Sequence, residues 1–112
     1  MLGGIDHFGL TVRDVDASAA WYVEVLGFRR VGEFESPDGS RRKVFLRHSG
    51  LQARVGLTQH RDGGQDAFDE TRVGLDHVAF TVADRAELDA GPRGWRPRGL
   101  SIPPVAPANS IP

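Results

Sequence analysis

The chain has 112 residues, 39% of them apolar and 26% charged, a size and composition that suit one soluble domain with its own core. Fourteen Lys and Arg against fifteen Asp and Glu leave a formal charge of −1, without the basic excess of a dedicated nucleic-acid or anionic-membrane binder. No cysteine is present, which excludes disulfide scaffolds, thiolate metal sites and thiol nucleophiles.

In chain order, Phe8, Leu10 and Val12 alternate with His7, Gly9 and Thr11, a period of two that predicts a first strand. Asp14 can cap a helix, because its carboxylate accepts from the free amides of a first turn. Val15, Ala19, Tyr22 and Leu26 then recur at helical spacing, and Gly27 stands where a helix ends in a left-handed residue. A helix is predicted from Asp14 to Leu26. Three strands are predicted next: Phe28 to Glu35, Arg41 to Arg47 and Gln52 to His60. Ser36-Pro37-Asp38-Gly39 and Ser49-Gly50 are the turns between them. This first unit reads β-α-β-β-β.

The opening strand then returns. Ile5 to Asp14 aligns without a gap on Leu75 to Asp84, an offset of 70 residues, with five identities in ten positions. The identical pairs are Asp6/Asp76, His7/His77, Thr11/Thr81, Val12/Val82 and Asp14/Asp84. A second unit is therefore expected: a strand over Leu75 to Val82, Asp84 as cap, and a helix begun by Ala86, Leu88 and Ala90. Its pattern breaks at Gly91-Pro92 and Pro97, and six of the seven prolines lie between Pro92 and Pro112. The expected organisation is a single domain with module one at 4–61, a linker at 62–73 and a partial module two at 74–112. The N-terminus carries no signal-peptide pattern and no apolar run approaches a membrane span, so a cytoplasmic protein is expected.

Asp6-His7, Asp14-Val15-Asp16, Ser18, Trp21-Tyr22, Leu26-Gly27-Phe28 and Asp76-His77 through Asp84 together resemble the vicinal oxygen chelate superfamily. That group includes glyoxalase I, extradiol dioxygenases and the bleomycin and fosfomycin resistance proteins. The resemblance covers residues 4 to 90. It implies an α+β fold of paired β-α-β-β-β modules in a half-open barrel, here with the second module incomplete. Fold membership alone does not fix the reaction.

The resemblance places metal ligands on the first and last strands of each module. His7 and His77 hold the two first-strand positions, and both alternate away from the core-facing residues, toward the implied cavity. Imidazole suits Fe(II), Mn(II), Zn(II) or Ni(II). Gly56 falls where glyoxalase-type members carry a carboxylate, which disfavours a four-ligand site. A site of two histidines and one late carboxylate would need a final strand, and no such segment precedes Pro112. His60, which shares strand parity with Gly56, is a substitute ligand or a strand-end surface residue. Water or another chain could also supply the third ligand. Arg54, Thr11 and Thr81 are candidate substrate contacts, with a solvent-exposed arginine the plain alternative for Arg54. His48 is read as part of a solvated turn, Arg41-Arg42-Lys43 as a solvated strand end, and Trp21 and Tyr22 as core. Gly63 and Gly64 fit no nucleotide-binding pattern.

The implied function is a metal-dependent small-molecule enzyme of dioxygenase or lyase type. The alternatives are a metal-free binder that sequesters an apolar or aromatic compound, as the bleomycin resistance members do, and an inactive truncated product. Two full modules need roughly 130–140 residues, so the chain is expected to be short by about two strands. An open sheet edge left by that shortage would favour a homodimer.

Overall fold

A computed structural model describes residues 1–90. The sequence signals at residues 91–112, including the proline cluster and the break in the second module, lie outside the described residues. The first unit folds as β1 (His7–Thr11), α1 (Val15–Leu26), β2 (Arg29–Glu35), β3 (Arg41–His48) and β4 (Leu51–His60). They form one open sheet in the order β1-β4-β3-β2. β1 runs parallel to β4, with His7 opposite Arg54, Gly9 opposite Gly56 and Thr11 opposite Thr58. The other two pairings are antiparallel, and β2 is bulged between Arg30 and Gly32.

The start of α1 has complete backbone hydrogen bonding. A helix leaves its first amides without intrahelical acceptors. Here the Asp14 carboxylate accepts from the amides of Asp16 and Ala17, at 3.1 and 3.0 Å. The Ser18 amide donates to the Asp14 carbonyl at 3.0 Å. The remaining amide, on fully buried Val15, donates to Gln59 Oε1 at 2.8 Å. That last bond ties the helix start to β4. Gly27 ends the helix at φ 77°, a left-handed conformation that disfavours any side chain.

α1 lies across one face of the sheet. Val15 and Ala19 of the helix meet Phe28, Val44, Leu46, Val55 and Leu57, all buried. Burying each of the larger aliphatic side chains contributes about 1.5–3 kcal/mol. Charged residues on the same face pair up at its rim: Arg42 donates to both oxygens of Asp16, and Arg30 lies near Asp16 and meets Glu33. Arg42 is thus a partner of the helix rather than part of a solvated strand end. His48 also differs from its expected place in a solvated turn. It faces the helix side half-buried, its ring 5.2 Å from that of Phe28, and its Nδ1 accepts from the Gly50 amide.

The second unit departs from expectation at its first strand. Residues 75–82 form no strand, and α2 (Arg85–Ala90) follows. Among the described residues β1 is held by its parallel partner β4, and residues 75–82 have no such ladder partner. The segment packs by side chains instead. Phe80 sets its ring 6.5 Å from Phe8 and 6.0 Å from Phe28. The cap of α2 forms as expected: Glu87 N donates to Asp84 Oδ1 at 2.8 Å, and Glu87 Oε2 accepts from Ala83 N at 3.2 Å. The return bond reaches the amide before the cap, one residue short of a capping box.

Candidate functional site

Strand alternation sends His7 away from α1, onto the open face of the sheet, because Phe8 and Leu10 are held by the core. Its Nδ1 lies 2.6 Å from Asp6 Oδ2. A carboxylate only accepts, so Nδ1 carries a proton, and in the neutral imidazole the lone pair is then on Nε2. Arg54, opposite His7 in the ladder, donates from Nη2 to the same Asp6 oxygen at 3.0 Å. The His7 hydrogen bond, then the hydrogen bond and charge of Arg54, hold the Asp6 carboxyl below the usual carboxylate range. Asp6 therefore stays ionised and fixes the tautomer of His7.

His77 repeats the arrangement. Its Nδ1 lies 2.6 Å from Asp76 Oδ2. Both imidazoles are exposed, at 66% for His7 and 79% for His77, so both Nε2 atoms are open to a ligand. Histidines that bind metals almost always hand their second ring nitrogen to a carboxylate, a carbonyl or water in this way. The two imidazoles lie on different sides of β1: His7 is on the open face, whereas His77 lines a cavity with Phe8 and Leu10 on the core side. Among the described residues no group of three His, Asp or Glu side chains could hold a metal ion.

Two cavities lie near these residues. One of about 270 Å³ is lined by Phe8, Leu10, Tyr22, Phe80 and His77, among others, and is largely apolar. Burial there pushes the Tyr22 phenol up from its ordinary value. The other, of about 330 Å³, brings Thr11 and His60 together with linker residues that include Phe68 and Arg72. His60 therefore sits at the far end of β4 from Arg54, in a different cavity from His77. Thr81 is exposed in the unpaired segment and lines neither cavity.

Sequence reasoning passed over Asp6 and Asp76. Their signal was present, since the Asp-His pair is identical in both repeats. Lys43, read as part of a solvated strand end, and Phe45 are placed by alternation in β3 on the open face, opposite Thr58 and Gly56 of β4. Among the described residues no helix is long and apolar enough to cross a membrane.

The fold has known relatives. A family model described as Glyoxalase/Bleomycin resistance protein/Dioxygenase superfamily matches residues 4–102. A glyoxylase/bleomycin resistance protein/dioxygenase domain from Frankia sp. EAN1pec is 37% identical, with a TM-score of 0.72 over 80% of this chain and 68% of that one. The trypanothione-dependent glyoxalase I of Leishmania major is 24% identical (TM-score 0.68), covering 96% of this chain and 74% of its own. The fosfomycin resistance protein FosX of Listeria monocytogenes, in complex with Mn(II) and a dihydroxypropylphosphonic acid, is 16% identical (TM-score 0.67), covering 96% and 79%. These last two likenesses are of fold alone. No curated protein matches the chain. On the family match and the Frankia relative, the chain belongs to the glyoxalase/bleomycin resistance protein/dioxygenase superfamily.

Proposed function

We propose that the protein is a small-molecule enzyme of its superfamily, of dioxygenase or lyase type, and that His7 and His77 hold a divalent metal of the Fe, Mn, Zn or Ni group. The observation that carries this reading is the repeated carboxylate–imidazole pair, 2.6 Å at both sites. Each carboxylate fixes the orientation of its imidazole and turns Nε2 outward. A bound metal would supply Lewis acidity toward a substrate oxygen. The chain's own contribution is to orient the two imidazoles through Asp6 and Asp76 and to hold Asp6 ionised through Arg54. The third donor is water, His60 or a group from another chain. Thr11, Thr81 and Arg54 are proposed substrate contacts. The domain is proposed to divide as module one at 4–61, linker at 62–73 and module two from 74, and to act in the cytoplasm as a homodimer. Exposed Leu75 and Val82 are apolar surface that a second copy would cover.

A second reading is a metal-free binder of an apolar compound. The cavity framed by Phe8, Leu10, Tyr22 and Phe80 favours it. Metal analysis of the purified chain separates the two. Near-stoichiometric metal, lost in a His7→Ala/His77→Ala double variant, supports the enzyme. No metal, with binding of an aromatic probe unchanged in that variant, supports the binder.

A further inference from the structure

The two faces of the sheet differ in charge. On the helix side, Arg30 and Arg42 meet Asp16 and Glu33, so cation and anion balance. On the open side, ladder register and alternation place Arg29, Arg41, Lys43, Arg47 and Arg54, and no strand position on that side carries Asp or Glu. Only Arg54 of these five has an anionic partner within 4 Å among the described residues, and that partner is Asp6 at the sheet's edge. Arg41 lies over the Phe34 ring at 5.6 Å, a contact that leaves its charge unneutralised. An excess of one sign over a low-dielectric sheet concentrates the opposite ion.

The middle of this face carries three glycines around one aromatic ring. Phe45 sits between Gly32 of β2 and Gly56 of β4, and Gly9 lies opposite Gly56. A Cβ built on Gly32 or Gly56 would lie 3.6 or 3.8 Å from the Phe45 ring, ordinary contact distances. Gly9 and Gly56 do not adopt positive φ, so neither packing nor backbone conformation demands glycine there. What the glycines leave is a ring flanked by Lys43, two residues earlier on β3, and by Arg54, diagonally across on β4.

We propose that this open face binds a small organic anion, a carboxylate, phosphate or phosphonate on a flat apolar body, with Lys43 and Arg54 taking the charge and Phe45 the body. This names the substrate class of the small-molecule reading above. It requires no metal, so the two can fail separately. A small molecule is favoured over a nucleic acid because the chain as a whole carries a charge of −1 and this face offers few aromatic platforms, Phe34 being engaged by Arg41.

The test is a titration of the full chain with phenylphosphonate in chelator-treated buffer, followed by backbone amide NMR. Saturable shifts are expected at the Gly9, Phe45 and Gly56 amides, and none with benzyl alcohol, the neutral probe. Lys43→Met is expected to weaken phenylphosphonate about tenfold, the size of one charge-assisted hydrogen bond. Arg30→Met, which removes a cation from the helix side, is expected to leave it unchanged. Equal response to benzyl alcohol, equal losses in the two variants, or shifts confined to other residues would overturn the proposal. So would tighter binding of a short oligothymidylate, which would identify a nucleic-acid surface. Loss of metal in the His7→Ala/His77→Ala variant with phenylphosphonate binding intact would leave this inference standing; absence of metal from the wild type would count only against the metal reading.

Discussion

Replacing Gln59 by leucine should destabilise the fold more than removing the helix cap itself. The Val15 amide is fully buried and its acceptor is Gln59 Oε1, 2.8 Å away. Leucine fills similar space and offers no acceptor, so the amide stays desolvated without a partner, at a cost of about 1–3 kcal/mol. Asp14→Ala also removes an acceptor, but the amides of Asp16 and Ala17 are at an exposed helix start where water can replace it. A loss of about 1 kcal/mol is expected there. Gln59→Glu keeps an oxygen at the same place and adds negative charge at a helix N-terminus, which is favourable, so it should retain most of the stability. Equilibrium urea unfolding at constant m-value measures all three. A Gln59→Leu loss below about 0.5 kcal/mol, within the range of ordinary surface changes, would show that this bond does not hold the helix start.

Gly27→Ala should cost about 1 kcal/mol, because φ is 77° there; the nearest atom to an added Cβ, His48 Nε2 at 3.6 Å, causes no clash, so the loss read by thermal melting would be conformational. Leu46→Ala, at a fully buried β3 position, should cost about 2–5 kcal/mol in the same assay, and a smaller loss would mean the core there collapses around the gap. The Asp38 carboxylate accepts from the hydroxyls of Ser36 and Ser40 and from the Ser40 amide. Those bonds, the Ser40 hydroxyl first, hold it at about 2 against an ordinary 3.8. A depressed folded value gives stability that is present above 3.8 and lost as pH falls through about 2. Acid titration by circular dichroism should therefore show a shallower loss in that window for Asp38→Asn than for the wild type.

The first module was legible because local signals and tertiary placement agreed. Asp14 and Gly27 bound α1, period-two alternation marked β1 and β4, and the Ser36 to Gly39 turn fixed the β2–β3 register. Residues 75–82 carried the same strand pattern as β1, yet alternation cannot report whether a ladder partner exists. The segment turned its apolar side chains to Phe8 and Phe28 instead of pairing. Long-range polar bonds were equally invisible. Gln59 to Val15 spans 44 residues and Arg54 to Asp6 spans 48, and nothing in local sequence links either pair. His48 looked like a turn residue because Ser49 and Gly50 follow it, but alternation from buried Leu46 already sent it to the helix side. The Asp-His repeat singled out two histidines, and the geometry added the carboxylate that each one contacts.

A side-chain nitrogen NMR titration of the four histidines with Zn(II), a diamagnetic member of the proposed metal group, tests the shared metal site most directly. His7 and His77 are expected to hold protons on Nδ1 before metal is added. Their Nε2 signals are expected to shift together, saturating at one equivalent, while His48 keeps its hydrogen bond from Gly50 and does not respond. Independent saturation of His7 and His77, or a response confined to His48 and His60, would contradict a shared site.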